Sequence, residues 1–201
     1  SWVIWYTVSL TVFKDLVVYL THYLMHRIPW LWEFHKIHHS ATTLNPFTQY
    51  RVHPIELVLN NFTALFTFGL ITGGFNYLSQ GSLVLYEILG ANFLLLIFKF
   101  FGANLRHSHV KFKYPSFLEN IFISPYQHQI HHSSNPTFFN KNMGSFLAIW
   151  DFVFGTLSKS KEISKVQFGL GDEGNDQMNS FWKSVFSPFI SSFKKITKLF
   201  R

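Results

Sequence analysis

The residues of this chain best suited to chemistry are its histidines. His22 and His26 stand four apart, His35 is followed by His38 and His39, Arg106 precedes His107 and His109, and His128 is followed by His131 and His132. Imidazole is the commonest metal ligand, binds through either ring nitrogen, and is mostly unprotonated near neutral pH. On a helix, positions i, i+3 and i+4 share a face, so each box is predicted to be a one-sided patch of imidazoles. A single histidine on an apolar face is ordinarily a satisfied core residue. That reading does not account for this distribution: every histidine lies between His22 and His132, and all but His53 fall into four tight groups.

So many imidazoles exceed the needs of one ion. A catalytic zinc site takes about three protein ligands plus water, whereas two ions of five or six coordination take roughly eight to ten. Imidazole suits Zn, Cu, Fe and Ni alike, so ligand type does not choose the metal. The zinc-protease motif HExxH is absent. So is the Glu-x-x-His pairing of soluble di-iron bundles, because no box contains a carboxylate. The chain has no cysteine, which excludes disulfides, thiolate metal sites, iron–sulfur clusters and a cysteine nucleophile.

The elements that must position these boxes are apolar. Of 201 residues, 48% are hydrophobic and 19% aromatic, with 25 Phe, and only 13% are charged. Soluble domains carry about 25% charged residues, so the composition argues for a membrane. The net charge of +7 shows no nucleic-acid recognition motif and suits an anionic lipid surface better. Apolar runs at about 1–21, 55–72 and 82–101 are each near the length that spans a bilayer. The connector from Gly73 to Gly81 has the glycine punctuation of a turn and no charge. Lys and Arg gather in 22–54 and 103–201, which predicts a multi-pass protein with its histidine boxes on the cytoplasmic face. Two crossings then separate the second box from the third group, so all boxes end on one side. The chain begins inside an apolar run rather than at Met, which leads us to expect further membrane segments upstream.

Smaller signals refine this picture. Pro29 is expected to end the helix of the first box, and Ser124-Pro125 to start the helix of the last. Asp15 lies two turns before His22, where it could accept a ring N–H from a ligand histidine or simply compensate Lys14. His53, isolated before Pro54, could be a ligand, but is read rather as an outer group beside the ligands or as structural. Residues 158–180 are polar and read as a linker. The tail 181–201 is basic and amphipathic, suited to a membrane interface or to packing on the body of the protein, with Pro188 expected to split it.

The fold class expected is therefore all-α, an integral-membrane helical bundle with a cytoplasmic histidine-rich cap holding a dinuclear metal site, in one catalytic domain over 1–157. A dinuclear site beside apolar helices is where a lipid chain would be presented. Breaking an unactivated C–H bond there calls for a strong oxidant, which O₂ activated at iron supplies. Alternatives in other classes are a metal-dependent membrane lipid hydrolase, a metal-binding or transport protein using the boxes as a relay, and bis-histidine haem electron transfer, which leaves most of the histidines without a role.

The particulars resemble the sterol desaturase/fatty acid hydroxylase superfamily of integral-membrane histidine-box enzymes. HRxPxLWxFHKxHHS at 26–40, RxHPxE at 51–56, RHSH at 106–109, SPxxHQIHHS at 124–133 and WDxxFGT at 150–156 carry the resemblance, from about Asp15 to Thr156. It implies two non-haem irons ligated by His22, His26, His35, His38, His39, His107, His128, His131 and His132, with His109 as a further candidate ligand. It also implies O₂-dependent hydroxylation or desaturation of a lipid such as a sterol or fatty acyl chain. Electrons would come from a separate donor: a cytochrome b5-like protein, a ferredoxin or a reductase.

Overall fold

A computed structural model describes residues 2–83, 88–90, 93, 96, 100, 104–161, 163, 165–171, 178 and 180–200. Its long helices follow the apolar runs. Helix α1 spans Trp2–Arg27 and ends where Pro29 cannot supply the next backbone donor; Pro29 instead opens α2, Pro29–His39. A 3-10 turn at Pro46–Tyr50 is closed by a capping box of Asn45 and Thr48, and leads into α3, Pro54–Leu78. His53 caps α3 by accepting from the Ile55 N–H at 3.1 Å. The glycine-punctuated connector does not turn at Gly73: α3 continues through Gly73 and Gly74 to Leu78, and Gln80 and Gly81 make the reversal with positive φ. A glycine keeps its backbone N–H and costs a helix only about 1 kcal/mol relative to alanine, so the helix runs through both.

α1 and α3 pack together around Tyr6 and Leu10, with Phe68, Ile71 and Phe75 against them, and the Tyr6 hydroxyl meets Thr72 Oγ1 at 3.0 Å. Their remaining surface is apolar and outward-facing: Ile4, Trp5 and Val8 on α1, and Phe62, Leu65, Phe66 and Leu70 on α3, are exposed. Thr7, Thr11, Thr63 and Thr67 turn their hydroxyls onto carbonyls one turn earlier, which satisfies these hydroxyls within their own helices. Among the described residues these are the two helices long and apolar enough to cross a membrane. The third expected segment, 82–101, falls largely outside the described residues; within it Ile88–Gly90, Phe93, Leu96 and Phe100 are helical.

The described residues after 104 form a cap of mostly short elements, with one longer tail helix, on the histidine end. Helix α4, Pro125–His131, opens with a capping box in which Ser124 and Gln127 satisfy each other's backbone N–H groups. Helix α5 is the single turn Ile149–Val153, and α6 runs from Phe181 to Leu199. α6 is continuous through Pro188, not split by it, because the buried Pro188 face is held against α2. The described part of the expected linker is also more than a tether. Ser134 N–H donates to Gln167 O at 2.8 Å and Ser133 bridges Phe168, which lays this segment beside the last histidine box.

Candidate metal centre

Nine imidazoles converge into two adjacent groups. The first holds His22 and His26 from α1, His35 and His39 from α2, and His131 from α4. The second holds His38 from α2, His107, and His128 and His132 at the end of α4; within each group the ligand atoms lie within 4.8 Å of one another. The expectation that each HxxHH box forms one patch is corrected here. α2 sends its i,i+4 pair to the first group and His38 to the second, while α4 sends its i,i+4 pair to the second and His131 to the first. His39 and His132 stack at 4.6 Å between centroids and join the two groups.

Backbone and carboxylate acceptors set the ring orientations of the first group. His22 Nδ1 donates to Met143 O at 2.8 Å, His131 Nδ1 to Lys141 O at 2.8 Å, and His35 Nδ1 to Glu56 Oε1 at 2.9 Å. These oxygens can only accept, so the Nδ1 atoms carry the protons and the Nε2 atoms carry lone pairs. Yet His22 Nε2 and His35 Nε2 stand 3.1 Å apart, and His35 Nε2 and His39 Nε2 3.2 Å. His26 Nε2 and His131 Nε2 are buried with no hydrogen-bond partner among the described residues. Facing lone pairs repel unless a cation lies between them. Two nitrogens each about 2.1 Å from one ion, at right angles, sit about 3.0 Å apart, which matches the observed spacing.

The second group shows the same convergence. His107 Nε2 lies 3.2 Å from His38 Nε2 and 3.1 Å from His128 Nε2, which is 3.3 Å from His132 Nε2. Burial first, and neighbouring imidazoles second, hold His38, His39, His128 and His132 well below the ordinary histidine value. Burial brings His131 down to about 3 against the opposing bond to Lys141 O. All five rings are therefore neutral at physiological pH, the form in which imidazole can bind a metal. The donor set of neutral imidazoles without thiolate fits two transition-metal ions.

Two buried aspartates place the carbonyls that orient the histidines. Asp15 accepts from Phe146 N–H, Leu147 N–H and the Trp150 indole, each at 3.0 Å. It therefore neither bonds a histidine nor serves mainly to balance Lys14; it ties α1 to the loop that carries Met143. Asp151 grips the same loop from the other side, accepting from Met143 N–H at 2.8 Å, Gly144 N–H at 2.7 Å and Thr156 Oγ1 at 2.6 Å. Thr156 in turn meets the Tyr19 hydroxyl of α1 at 2.9 Å. A third buried acid, Glu119, collects Ser124 Oγ, Ser160 Oγ and Ser160 N–H at the start of α4.

The remaining candidates lie elsewhere. His109 is exposed and belongs to neither group. Gln129 Nε2 donates to Ser108 O at 2.9 Å and Val110 O at 2.8 Å, and this clamp on the flanking backbone turns His109 outward. His53 uses both nitrogens away from the site: Nδ1 caps α3, and Nε2 donates to Val185 O of α6 at 3.0 Å. The outer partner that sequence reasoning passed over is Glu56, whose position in RxHPxE, one turn into α3 from His53, was its only signal.

A cleft of about 370 Å³ opens onto the first group, reaching His26, His39 and His131. Trp32, Phe139 and Leu170 give it apolar walls, and Lys36, Ser133 and Asn140 give it polar edges.

Residues 7–156 match the family described as Fatty acid hydroxylase. The match ends at Thr156, as the sequence motifs do, and begins somewhat before Asp15. Similar curated proteins include alkylglycerol monooxygenase of Caenorhabditis elegans, 25% identical over 94% of this chain and 36% of that protein. Ornithine lipid hydroxylase OlsE of Rhizobium tropici is 31% identical over 79% of this chain and 44% of that protein. Human alkylglycerol monooxygenase is 28% identical over 83% and 33%. The chain thus spans less than half the length of these relatives. No solved structure matches it. With its histidine boxes gathered into two buried metal-ready groups at one end of long apolar helices, the chain belongs to the fatty acid hydroxylase family.

Proposed function

We propose that this chain is the catalytic part of a membrane-bound, O₂-dependent lipid hydroxylase that holds two irons, one in each histidine group. The observation that carries the reading is the convergence of Nε2 atoms 3.1–3.3 Å apart in both groups, with the Nδ1 protons of His22 and His35 fixed by oxygen acceptors in the first, beside a cleft with apolar walls. His22, His26, His35, His39 and His131 would hold one ion, and His38, His107, His128 and His132 the other. Redox-active iron supplies the O₂ activation needed to break an unactivated C–H bond.

The chain's own residues do the rest. Met143 O, Lys141 O and Glu56 hold His22, His131 and His35 in the tautomer that presents Nε2, which keeps ligand basicity high. Trp32, Phe139 and Leu170 hold an acyl or alkyl chain and exclude water, while Lys36, Ser133 and Asn140 receive its polar end. Hydroxylation consumes O₂, two electrons and two protons for each C–H converted to C–OH and water, so a separate electron donor is required. The similar proteins, a monooxygenase and a hydroxylase by name, favour hydroxylation over desaturation. Lys and Arg on the histidine side of the apolar helices favour a cytoplasmic site.

The test is metal content and Mössbauer spectroscopy of detergent-purified protein grown with ⁵⁷Fe, with His131→Ala and His39→Ala in parallel. Two coupled irons per chain, reduced in both variants, and O₂-dependent appearance of hydroxylated lipid are expected. Stoichiometric zinc after iron-replete growth, or unchanged iron in the variants, overturns the reading.

A further inference from the structure

The tail helix α6, Phe181–Leu199, lies outside the residues that match the family, and it carries three distinct faces. One is docked: Pro188 and Ser192 are buried, Ser192 Oγ donates to Trp30 O at 2.7 Å, and Lys195 pairs with Glu33 of α2. Roughly 140° around the helix runs an exposed apolar arc of Trp182, Phe186, Ile190, Phe193 and Phe200. Beyond that arc lie Lys183, Lys194 and Lys198, all exposed.

The docking contacts also fix the level at which α6 lies. Val185 O receives the Nε2–H of His53, the N-cap of α3. Ser192 is bonded to Trp30, three residues beyond the end of α1. Roughly 10 Å of helix separates these two contacts, so α6 crosses the ends of both long apolar helices at their histidine-bearing side. If those helices span a bilayer, their ends mark its boundary, and α6 lies along it.

We propose that α6 is seated in the surface of an anionic lipid bilayer, with its aromatic arc in the acyl–headgroup boundary and its lysine arc against the headgroups. An apolar arc flanked by lysines is the pattern of a helix lying in the interface plane, and each lysine near an anionic surface adds attraction. The same helix holds α2, which carries His35, His38 and His39, so the membrane surface and the metal groups share one rigid element. The proposal rests on the membrane reading of α1 and α3.

The absence of cysteine permits a direct test with single nitroxide labels on the full chain. Phe186→Cys and Phe193→Cys report the aromatic arc, Leu65→Cys the exposed face of α3, and Lys161→Cys the aqueous side. In vesicles of phosphatidylcholine and phosphatidylglycerol, labels at 186 and 193 should be several-fold more accessible to O₂ than to a water-soluble nickel chelate, as at 65 and unlike 161. Replacing Lys183, Lys194 and Lys198 with Gln should make the arc labels shallower in these vesicles and leave them unchanged in phosphatidylcholine alone. Chelate accessibility at 186 and 193 with a lipid signature at 65 overturns the proposal and spares the membrane reading; an aqueous signature at 65 overturns both. Labels shielded from both reagents, or broadened by a neighbouring copy until unlabelled protein is added, show a protein partner on this face and overturn it as well.

Discussion

Glu56 Oε1 accepts the Nδ1 proton of His35 at 2.9 Å, and both residues are buried. A candidate ligand from α2 is thereby oriented by a carboxylate from α3, an element that contributes no histidine to either group. Outer-shell carboxylates of this kind typically carry 10- to 100-fold in metal affinity. Glu56→Ala should therefore lower metal affinity of the first group by about that range, while the second group keeps its ion. Metal titration followed by stoichiometry after dialysis measures this. Equal loss from both groups would show a general folding defect instead.

Gly144 sits where a Cβ would lie 2.7 Å from both Asp151 Oδ2 and Leu147 O. Gly144→Ala has to push the loop off Asp151, and overpacking of this kind costs about 1–3 kcal/mol. A lowered Tm is expected, with a changed environment of His22 because Met143 O moves. A Tm unchanged from wild type would mean that the loop is not held as described.

Asp15→Asn leaves an amide where three donors converge. The amide keeps one accepting oxygen and turns an NH₂ toward another donor, so a loss of about 1–3 kcal/mol is expected. Chemical denaturation of purified protein should show it. Asp15→Ala should be worse still, since all three donors lose their acceptor, the buried Leu147 N–H among them.

The metal-free protein should lose stability as pH falls. His38, His39, His128 and His132 are held well below the usual histidine value of 6.5, and His131 at about 3, with burial the main cause in each. A depressed value means that the unfolded chain binds more protons in this window. The contribution is complete above 6.5 and disappears progressively toward about 3. Thermal unfolding of chelator-treated protein should give a lower Tm at pH 5 than at pH 7.5. A Tm that rises on acidification would contradict the burial of these rings.

Leu170 lines the cleft on a segment that supplies no histidine. Leu170→Trp should fill part of the 370 Å³ space and, under the proposed function, displace the lipid substrate, with a fall in kcat/KM of about 100-fold for a 1 Å misplacement. Iron content should remain at the wild-type level. If turnover persists unchanged, the lipid enters elsewhere.

Much of this protein is legible in one dimension. Histidines at i and i+4 point the same way on any helix, so His22 with His26, His35 with His39 and His128 with His132 pair by local geometry alone. Pro29 marks the end of the first helix because a proline lacks the donor the next turn needs, and Ser124-Pro125 marks a helix start because the first turn does not need that donor. The apolar runs announce α1 and α3, and the amphipathic period announces α6.

What the sequence could not decide is where helices cross. The middle histidine of each HxxHH box follows the first by three residues and precedes the last by one, about 60° and 100° around the helix, so a small rotation of α2 against α4 determines whether it joins them or faces away. Packing makes the two helices exchange these residues, sending His38 to one group and His131 to the other. The roles of the carboxylates are tertiary for the same reason. Asp15 shares a helix face with His22 yet bonds a loop more than a hundred residues away, whereas Glu56, far from every box in sequence, holds His35. Spacing along one helix is set by its 3.6-residue turn, but the partner across a gap is set by which backbone groups burial leaves unpaired.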